Sequence, residues 1–262
     1  MTTDVRTNQA RKAQETLEGL FNERDPRTVK RDIAAPYFQH NPLIPNGTAP
    51  VAGFVSSLAG VTEPIVSSVR AVEEGDFAAV HSHYAWTPSF VMDGGRGSAV
   101  VDIFRYGLDG KIVEHWDVAQ AIPETTANGH TMLDGGGDPG AHADVEANKA
   151  IVRRVFDAFQ AGDTRALDQL IVADYIQHNP EVPDGLQAVQ SFFGGLGPVD
   201  VELVRLVAQG DLVFAHSHYR TFNAAVVDIF RILDGRIVEH WDVIQATPET
   251  TASGNDMFKQ LS

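Results

Sequence analysis

No cysteine occurs anywhere in the 262 residues, which removes disulfides, thiolate nucleophiles and cysteine-held metals together. Basic residues are scarce as well: 20 Lys and Arg stand against 35 Asp and Glu, for a formal net charge of −15. A field of that sign repels phosphate backbones and anionic lipid, so neither nucleic acid nor a membrane surface is expected as a partner. Long apolar runs are missing too, and none approaches the ~20 residues of a membrane span. The opening MTTDVRTNQARKAQ lacks the apolar centre of a signal peptide, and a cytoplasmic protein is the expectation. What the chain does have is 43% hydrophobic residues, enough for one large domain or two of average size.

An internal repeat decides between those two. YFQHNP at Tyr37 to Pro42 returns as YIQHNP at Tyr175 to Pro180, and AVHSHY at Ala79 to Tyr84 returns as FAHSHY at Phe214 to Tyr219. AVVDIFR recurs from Ala99 and Ala225, and GKIVEHWDVAQAIPETTANG from Gly110 returns as GRIVEHWDVIQATPETTASG from Gly235. The order and near-equal spacing are those of a duplicated domain. Between the copies, Leu133 to Asp144 reads LDGGGDPGAHAD, the composition of a flexible surface linker. The expected division is residues 1–132, a linker at 133–144, and residues 145–262.

Each copy reads as helices followed by strands. Ala10, Ala13, Leu17, Leu20 and Phe21 recur at helical spacing, as do Ile151, Val155, Phe156 and Phe159. A shorter helix is expected to lead into QHNP, where proline forbids continuation at Asn41 or Asn179. After a third short helix, four β-rich runs follow in the first copy, at Pro64–Glu74, Phe77–Trp86, Gly97–Tyr106 and Lys111–Ala121. Three helices before a four-stranded antiparallel meander make an α+β fold, with helices packed on one face of a curved sheet and a pocket between.

The Asp-Gly turns set which polar residues meet. A three-residue loop around Asp234-Gly235 would put Asp228 opposite His240, with Asp242 on the same face, beside Phe230 and Val238. A four-residue loop in the first copy would put Asp102 opposite His115, with Asp117 beside it. A two-residue turn at Asp234-Gly235 would slip the register and send Asp228 to the other face. Asp102 sits inside Val-Val-Asp-Ile-Phe, and a carboxylate in such surroundings needs a partner or a raised pKa. Paired with histidine it is either an ion pair tying two strands or a general acid/base.

The remaining histidines fall in two groups. His81 and His83, like His216 and His218, share one face of a strand. That spacing suits a metal pair, a structural pair or pocket hydrogen bonding. Gly75 and Gly210 stand where the glycine of a cupin metal motif would, but no glutamate follows at the required distance, and no metal is assigned. His40 and His178 precede Asn-Pro turns, as helix caps or pocket residues. Glu114, Trp116, Glu239 and Trp241 alternate to the opposite face of the last strand and are expected to pack sheets, at a contact between the copies.

The helices, YxQHNP, HSHY, VVDIFR and IVEHWDVxQ together resemble the SnoaL-like polyketide cyclases of the NTF2-like superfamily, over nearly all of each copy. The resemblance implies a tandem of cone-shaped α+β barrels, each with a deep pocket, no cofactor, and acid/base chemistry on an enolisable carbonyl compound. It also implies an acidic proton carrier near a histidine in the last strands, which falls on His115 with Asp117 and His240 with Asp242. The function expected is an aldol-type cyclase, isomerase or dehydratase acting on a small to medium hydrophobic carbonyl ligand. Asp117 or Asp102, and Asp242 or Asp228, would take the α-proton. His40, His81, His83, His178, His216 and His218 would bind substrate. A binding module without chemistry, or a metal enzyme built on the His-x-His pairs, are the alternatives. An internal pseudo-dimer is expected, with room for a further homodimer. A longer first-copy hairpin at Thr87–Gly97 would make the two pockets unequal.

Overall fold

The computed structural model describes residues 8–85, 95–140 and 143–262. Most of the Thr87–Gly97 hairpin therefore lies outside the described residues. In the first unit, α1 (Gln9–Leu17) runs into a π-helical turn at Glu18–Asn22, followed by α2 (Pro26–Asp32), β1 (Ile33–Gln39) and α3 (Thr48–Ser57). Strands β2 (Val66–Glu74), β3 (Phe77–Tyr84), β4 (Ser98–Tyr106) and β5 (Ile112–Ala121) complete it. The second unit has α4 (Val145–Ala161), a 3-10 turn at Thr164–Gln169, β6 (Ile171–Gln177) and α5 (Leu186–Leu196). Its meander is β7 (Val201–Gln209), β8 (Leu212–Tyr219), β9 (Ala224–Leu233) and β10 (Arg236–Ala246). The sheets have matching orders, β1-β5-β4-β3-β2 and β6-β10-β9-β8-β7. This is the expected α+β tandem.

One element differs from the sequence reading. The shorter helix expected there is α2, or the 3-10 turn of the second unit, but a strand follows it before His40 or His178 and lies parallel to β5 or β10, so each sheet is mixed and has five strands. The alternation of IAAPYFQ explains this: Ile33, Tyr37 and Gln39 turn inward and are buried. Pro36 has no N–H to give, which an edge strand tolerates. His40 and His178 therefore leave a strand end rather than a helix end.

Side chains alternate along a strand, so every strand serves two layers. One face meets the helices of its own unit, where Leu17, Tyr37 and Val55 are buried in the first unit and Phe156, Tyr175 and Val189 in the second. The other face meets the opposite unit. Trp116, Ile103, Met132, Trp241, Ile229, Phe214 and Met257 form a core between the two sheets, as expected for Trp116 and Trp241. Two buried arginines cross it in reciprocal fashion: the Arg70 guanidinium lies 4.0 Å from the Trp241 ring and that of Arg205 lies 3.8 Å from Trp116.

The segment after the first unit is not a free linker. Arg70 donates to the carbonyls of Leu133 (3.1 Å) and Asp134 (2.7 Å), Arg231 donates to that of Gly136 (2.6 Å), and the Gly140 N–H donates to Asp211 (2.7 Å). Gly135 has φ +90°, and a Cβ there would meet Glu239 at 2.3 Å and Trp241 at 2.7 Å. Its glycine content serves close passage along the sheets as well as turning.

Candidate active site

Each unit encloses a cavity between its sheet and its helices, of about 240 Å³ in the first and about 310 Å³ in the second. The walls are aliphatic and aromatic, and most polar groups gather at the floor, on the sheet side. In the first they are Tyr37, Gln39 and Asn41 from β1 and its exit, Tyr84, Asp102, His115 and Asp117, with Thr16 the one polar residue from α1. The second repeats the floor groups as Tyr175, Gln177, Asn179, Tyr219, Asp228, His240 and Asp242, and adds Glu181.

The aspartates and the histidine converge, but not in the register expected. Asp228 stands opposite Asp242, and His240 opposite Phe230; likewise Asp102 faces Asp117 and His115 faces Phe104. The β9–β10 turn is the two-residue one, with Asp234 at φ 50° and Gly235 at φ 75° and Leu233 paired to Arg236. That turn alone would have sent Asp228 to the other face. A β-bulge between Ile237 and Glu239 adds one residue and restores the alternation. The first unit has the same irregularity between Ile112 and Glu114. Val113 and Val238 are the residues passed over.

The hydrogen bonds fix the protonation logic. His115 Nε2 donates to Asp102 Oδ1 (3.0 Å), and its Nδ1 donates to Gln39 Oε1 (2.9 Å). The orientation of that amide is set because the Asn41 N–H also donates to Oε1 (2.9 Å), while Gln39 Nε2 donates to the Tyr37 hydroxyl (3.2 Å). Both ring nitrogens thus face acceptors, the environment of an imidazolium. In the second unit His240 meets Asp228 (3.1 Å) and Gln177 (2.8 Å) in the same way. Burial alone would lower His115 and His240, but the hydrogen bond each donates to the first aspartate and the charge of both aspartates turn each pKa upward.

The second aspartate of each set is held differently. Asp117 Oδ2 accepts from Asn41 Nδ2 (2.6 Å) and Asp242 Oδ2 from Asn179 Nδ2 (2.6 Å). Their Oδ1 atoms are buried and have no partner. Burial raises Asp117 above the usual carboxylate range, and it carries Asp242 to about 6, against the lowering effect of the neighbouring imidazolium and asparagine. A second donor is also available. The Tyr37 hydroxyl accepts from Gln39, as Tyr175 does from Gln177 (2.7 Å), which leaves each phenol proton free for a ligand. Burial pushes both phenols well up, so the protons stay on.

The six histidines expected to bind substrate line neither cavity, and that expectation is corrected. His40 and His178 sit on the inter-unit face, hydrogen-bonded to Glu114 (2.8 Å) and Glu239 (3.0 Å) and stacked on Trp116 and Trp241 at centroid separations of 4.8 and 4.9 Å. His81 and His216 accept from Arg70 (2.6 Å) and Arg205 (2.8 Å) on that same face. Burial, then the adjacent arginine, keeps both rings neutral. His83 meets the Arg96 carbonyl (3.0 Å), and His218 stacks on Phe258 at 4.1 Å. Strand parity is the reason: in β3 and β8 the cavity face belongs to the residues next to the histidines, which include Tyr84 and Tyr219. The tyrosines and the Gln-x-Asn pair were the residues missed, although YFQHNP and YIQHNP announce them by exact repetition.

Among the described residues, cation-ligand geometry falls on the cavity floor and not on the His-x-His pairs. One atom from each of Asp102, His115 and Asp117, and likewise of Asp228, His240 and Asp242, lies within 4.8 Å of the others. The direct Asp102–His115 and Asp228–His240 hydrogen bonds already use two of the three donors in each group.

Residues 152–240 match the family model of the SnoaL-like domain. The second unit is a SnoaL-like domain. The first repeats its sequence words and sheet order, so the chain is a tandem of one α+β fold. Among solved structures, TsrD from Streptomyces laurentii is similar at 24% identity, with a TM-score of 0.36 over 40% of this chain and 92% of that one. A putative ketosteroid isomerase from Kribbella flavida is 18% identical, TM-score 0.36, over 47% and 95%. IdmH, a putative polyketide cyclase from Streptomyces antibioticus, is 22% identical, TM-score 0.31, over 37% and 91%. Each spans about one SnoaL-like unit. No curated protein matches the chain. Among the described residues no helix is long and apolar enough to cross a membrane.

Proposed function

We propose that the protein is a cofactor-independent acid/base enzyme acting on a small to medium hydrophobic, enolisable carbonyl compound, with Asp117 and Asp242 as the bases. One observation carries this reading: each of these carboxylates keeps a buried, unpartnered oxygen at the floor of an apolar cavity. Such an oxygen has given up its hydration and gains by taking a proton, and burial raises both carboxyls, Asp242 to about 6, so each accepts a proton at neutral pH better than an exposed carboxylate does. In the first unit Asp117 Oδ1 takes the proton α to the ligand carbonyl, and the C–H electron pair moves into the enolate. The free phenol proton of Tyr37 hydrogen-bonds the enolate oxygen. The His115 imidazolium, fixed by Asp102 and Gln39, balances the charge beside the base. Return of the proton to another carbon completes an isomerisation. Attack of the enolate carbon on a second carbonyl of the same molecule forms a ring, as the resemblance to polyketide cyclases implies, with Asp117 returning its proton to the new alkoxide, and loss of that hydroxyl with a neighbouring proton as water would be the dehydratase outcome.

The two units then work as an internal pseudo-dimer in the cytoplasm, each with its own site. The test is a screen for solvent-deuterium exchange into hydrophobic ketones in D2O. The wild type is compared with Asp117→Asn, Asp242→Asn and the double variant. Exchange should persist in each single variant and vanish in the double, with ligand affinity changed only a few-fold. Bound ketone with no exchange in the wild type would make the protein a binding module, and exchange surviving in the double variant would acquit both carboxylates.

A further inference from the structure

The stretches that follow the last strand of each unit, PETTANGHTMLD at Pro123–Asp134 and PETTASGNDMFK at Pro248–Lys259, both cross to the opposite unit. The Ala127 N–H donates to the Pro180 carbonyl (2.8 Å), and the Ala252 N–H to the Pro42 carbonyl (2.8 Å). Met132 and Met257, buried in the core between the sheets, pin the two arms. Each arm thus lies on the QHNP loop of the other unit, the loop that carries two of the residues ordering the acid/base set.

We propose that each site is held in working shape by the arm of the opposite unit, with Asn255 the positioning residue for the first site and His130 for the second. Asn255 Nδ2 donates both to the Gln39 carbonyl (2.9 Å) and to Asn46 Oδ1 (2.8 Å), and Asn46 Oδ1 in turn accepts from the Gln39 N–H (2.8 Å). Gln39 is therefore held at its carbonyl by Asn255 directly and at its N–H through Asn46, whose amide oxygen Asn255 also binds. Its own amide oxygen receives His115 Nδ1. In the second unit His130 Nε2 donates to Asp184 Oδ2 (3.1 Å), Asp184 Oδ1 accepts from the Gln177 N–H (2.8 Å), and Gln177 receives His240. The two relays use different residues, Asn–Asn in one and His–Asp in the other, to reach the same glutamine. This rests on the reading of the Asp-His-Asp groups as the working sites, and it makes the tandem more than two enzymes on one chain: neither site is complete without residues of the opposite unit.

Histidine NMR titration of the full chain tests it without any substrate, so it is decided separately from the exchange screen. Loss of the clamp lets Gln39 withdraw and takes an acceptor from the His115 imidazolium, which sits between Asp102 and Asp117. In Asn255→Ala the His115 titration should fall by roughly half a pH unit, about a threefold loss of proton affinity, with His240 unmoved. In His130→Ala, His240 should move and His115 stay. Asn255→Ser is the milder variant should the alanine chain unfold, and the same one-sided shift is expected. Movement of the imidazole in the unit that carries the substitution, of both imidazoles, or of neither would overturn the proposal.

Discussion

Replacing Asp242 by asparagine should make the protein more stable at neutral pH while silencing the second site. Burial carries this carboxyl from 3.8 to about 6, and its side chain is almost wholly enclosed at 5% exposure. At ~1.4 kcal/mol per pH unit, the difference corresponds to ~3 kcal/mol. A raised carboxyl favours the folded state while it is protonated. That contribution is whole below pH 3.8 and is lost as pH rises through about 6. Asparagine cannot ionise, and its amide oxygen can still accept from Asn179. The variant should therefore match the wild type near pH 4 and exceed it by up to ~3 kcal/mol at pH 7.5, a figure in which the attraction of His240 for the ionised Asp242 is already included. Urea unfolding of both proteins across that range reads the difference directly. A stability gap that does not change with pH, or a variant less stable at pH 7.5 than at pH 4 relative to the wild type, would refute the argument that Asp242 is a strained, desolvated carboxylate.

Three further outcomes follow from the same geometry. Tyr175→Phe, measured in an Asp117→Asn background so that only the second site works, should cut the exchange rate by ~10² with little change in KM, because it removes the donor that meets developing charge. Asn41→Ala removes the hydrogen bond that lowers Asp117, so in an Asp242→Asn background the acid limb of the pH–rate profile should move to higher pH; an unmoved limb would mean the Asn41 contact is idle. Trp241→Ala opens the core between the sheets and should cost ~3–5 kcal/mol, and calorimetry should show both units losing stability together, whereas an unaffected first-unit transition would show that the shared core does not couple them.

How much of this was legible in the sequence depended on whether the deciding interaction was local. Repetition gave the two units, and alternation gave the β2–β5 and β7–β10 meanders, because both are periodic signals. The strand β1 was hidden by Pro36 and by the turn that follows it, since a short edge strand pairing in parallel with a partner more than seventy residues away leaves only a weak local pattern. The convergence of Asp228, His240 and Asp242 was read correctly through an incorrect turn. A two-residue hairpin and a bulge at Val238 cancel in parity, and nothing about a lone valine announces a bulge. The histidines went wrong for a related reason. His-x-His showed that two rings share a face, and parity within one strand cannot say whether that face looks into a cavity or toward a second sheet.

Duplication itself sharpens the distinction between polar groups kept for packing and those available for chemistry. The Asp-His-Asp groups and the His, Glu and Arg residues of the inter-unit face all occur twice, so recurrence cannot separate the two roles. The hydrogen-bond inventory does better, because the inter-unit face ties His40 to Glu114 and Arg70 to His81 with partners already in place. That face has orphans too, at His81 Nε2 and His216 Nε2. These nitrogens belong to fully buried rings that line neither cavity, and burial together with the adjacent guanidinium keeps the rings neutral. The unpartnered oxygens of Asp117 and Asp242 differ in the one respect that matters, since each belongs to a residue lining a cavity large enough for an organic molecule. An orphan in a packed layer is a cost the fold absorbs, whereas an orphan at the floor of a cavity is a group whose missing partner can be supplied by a ligand.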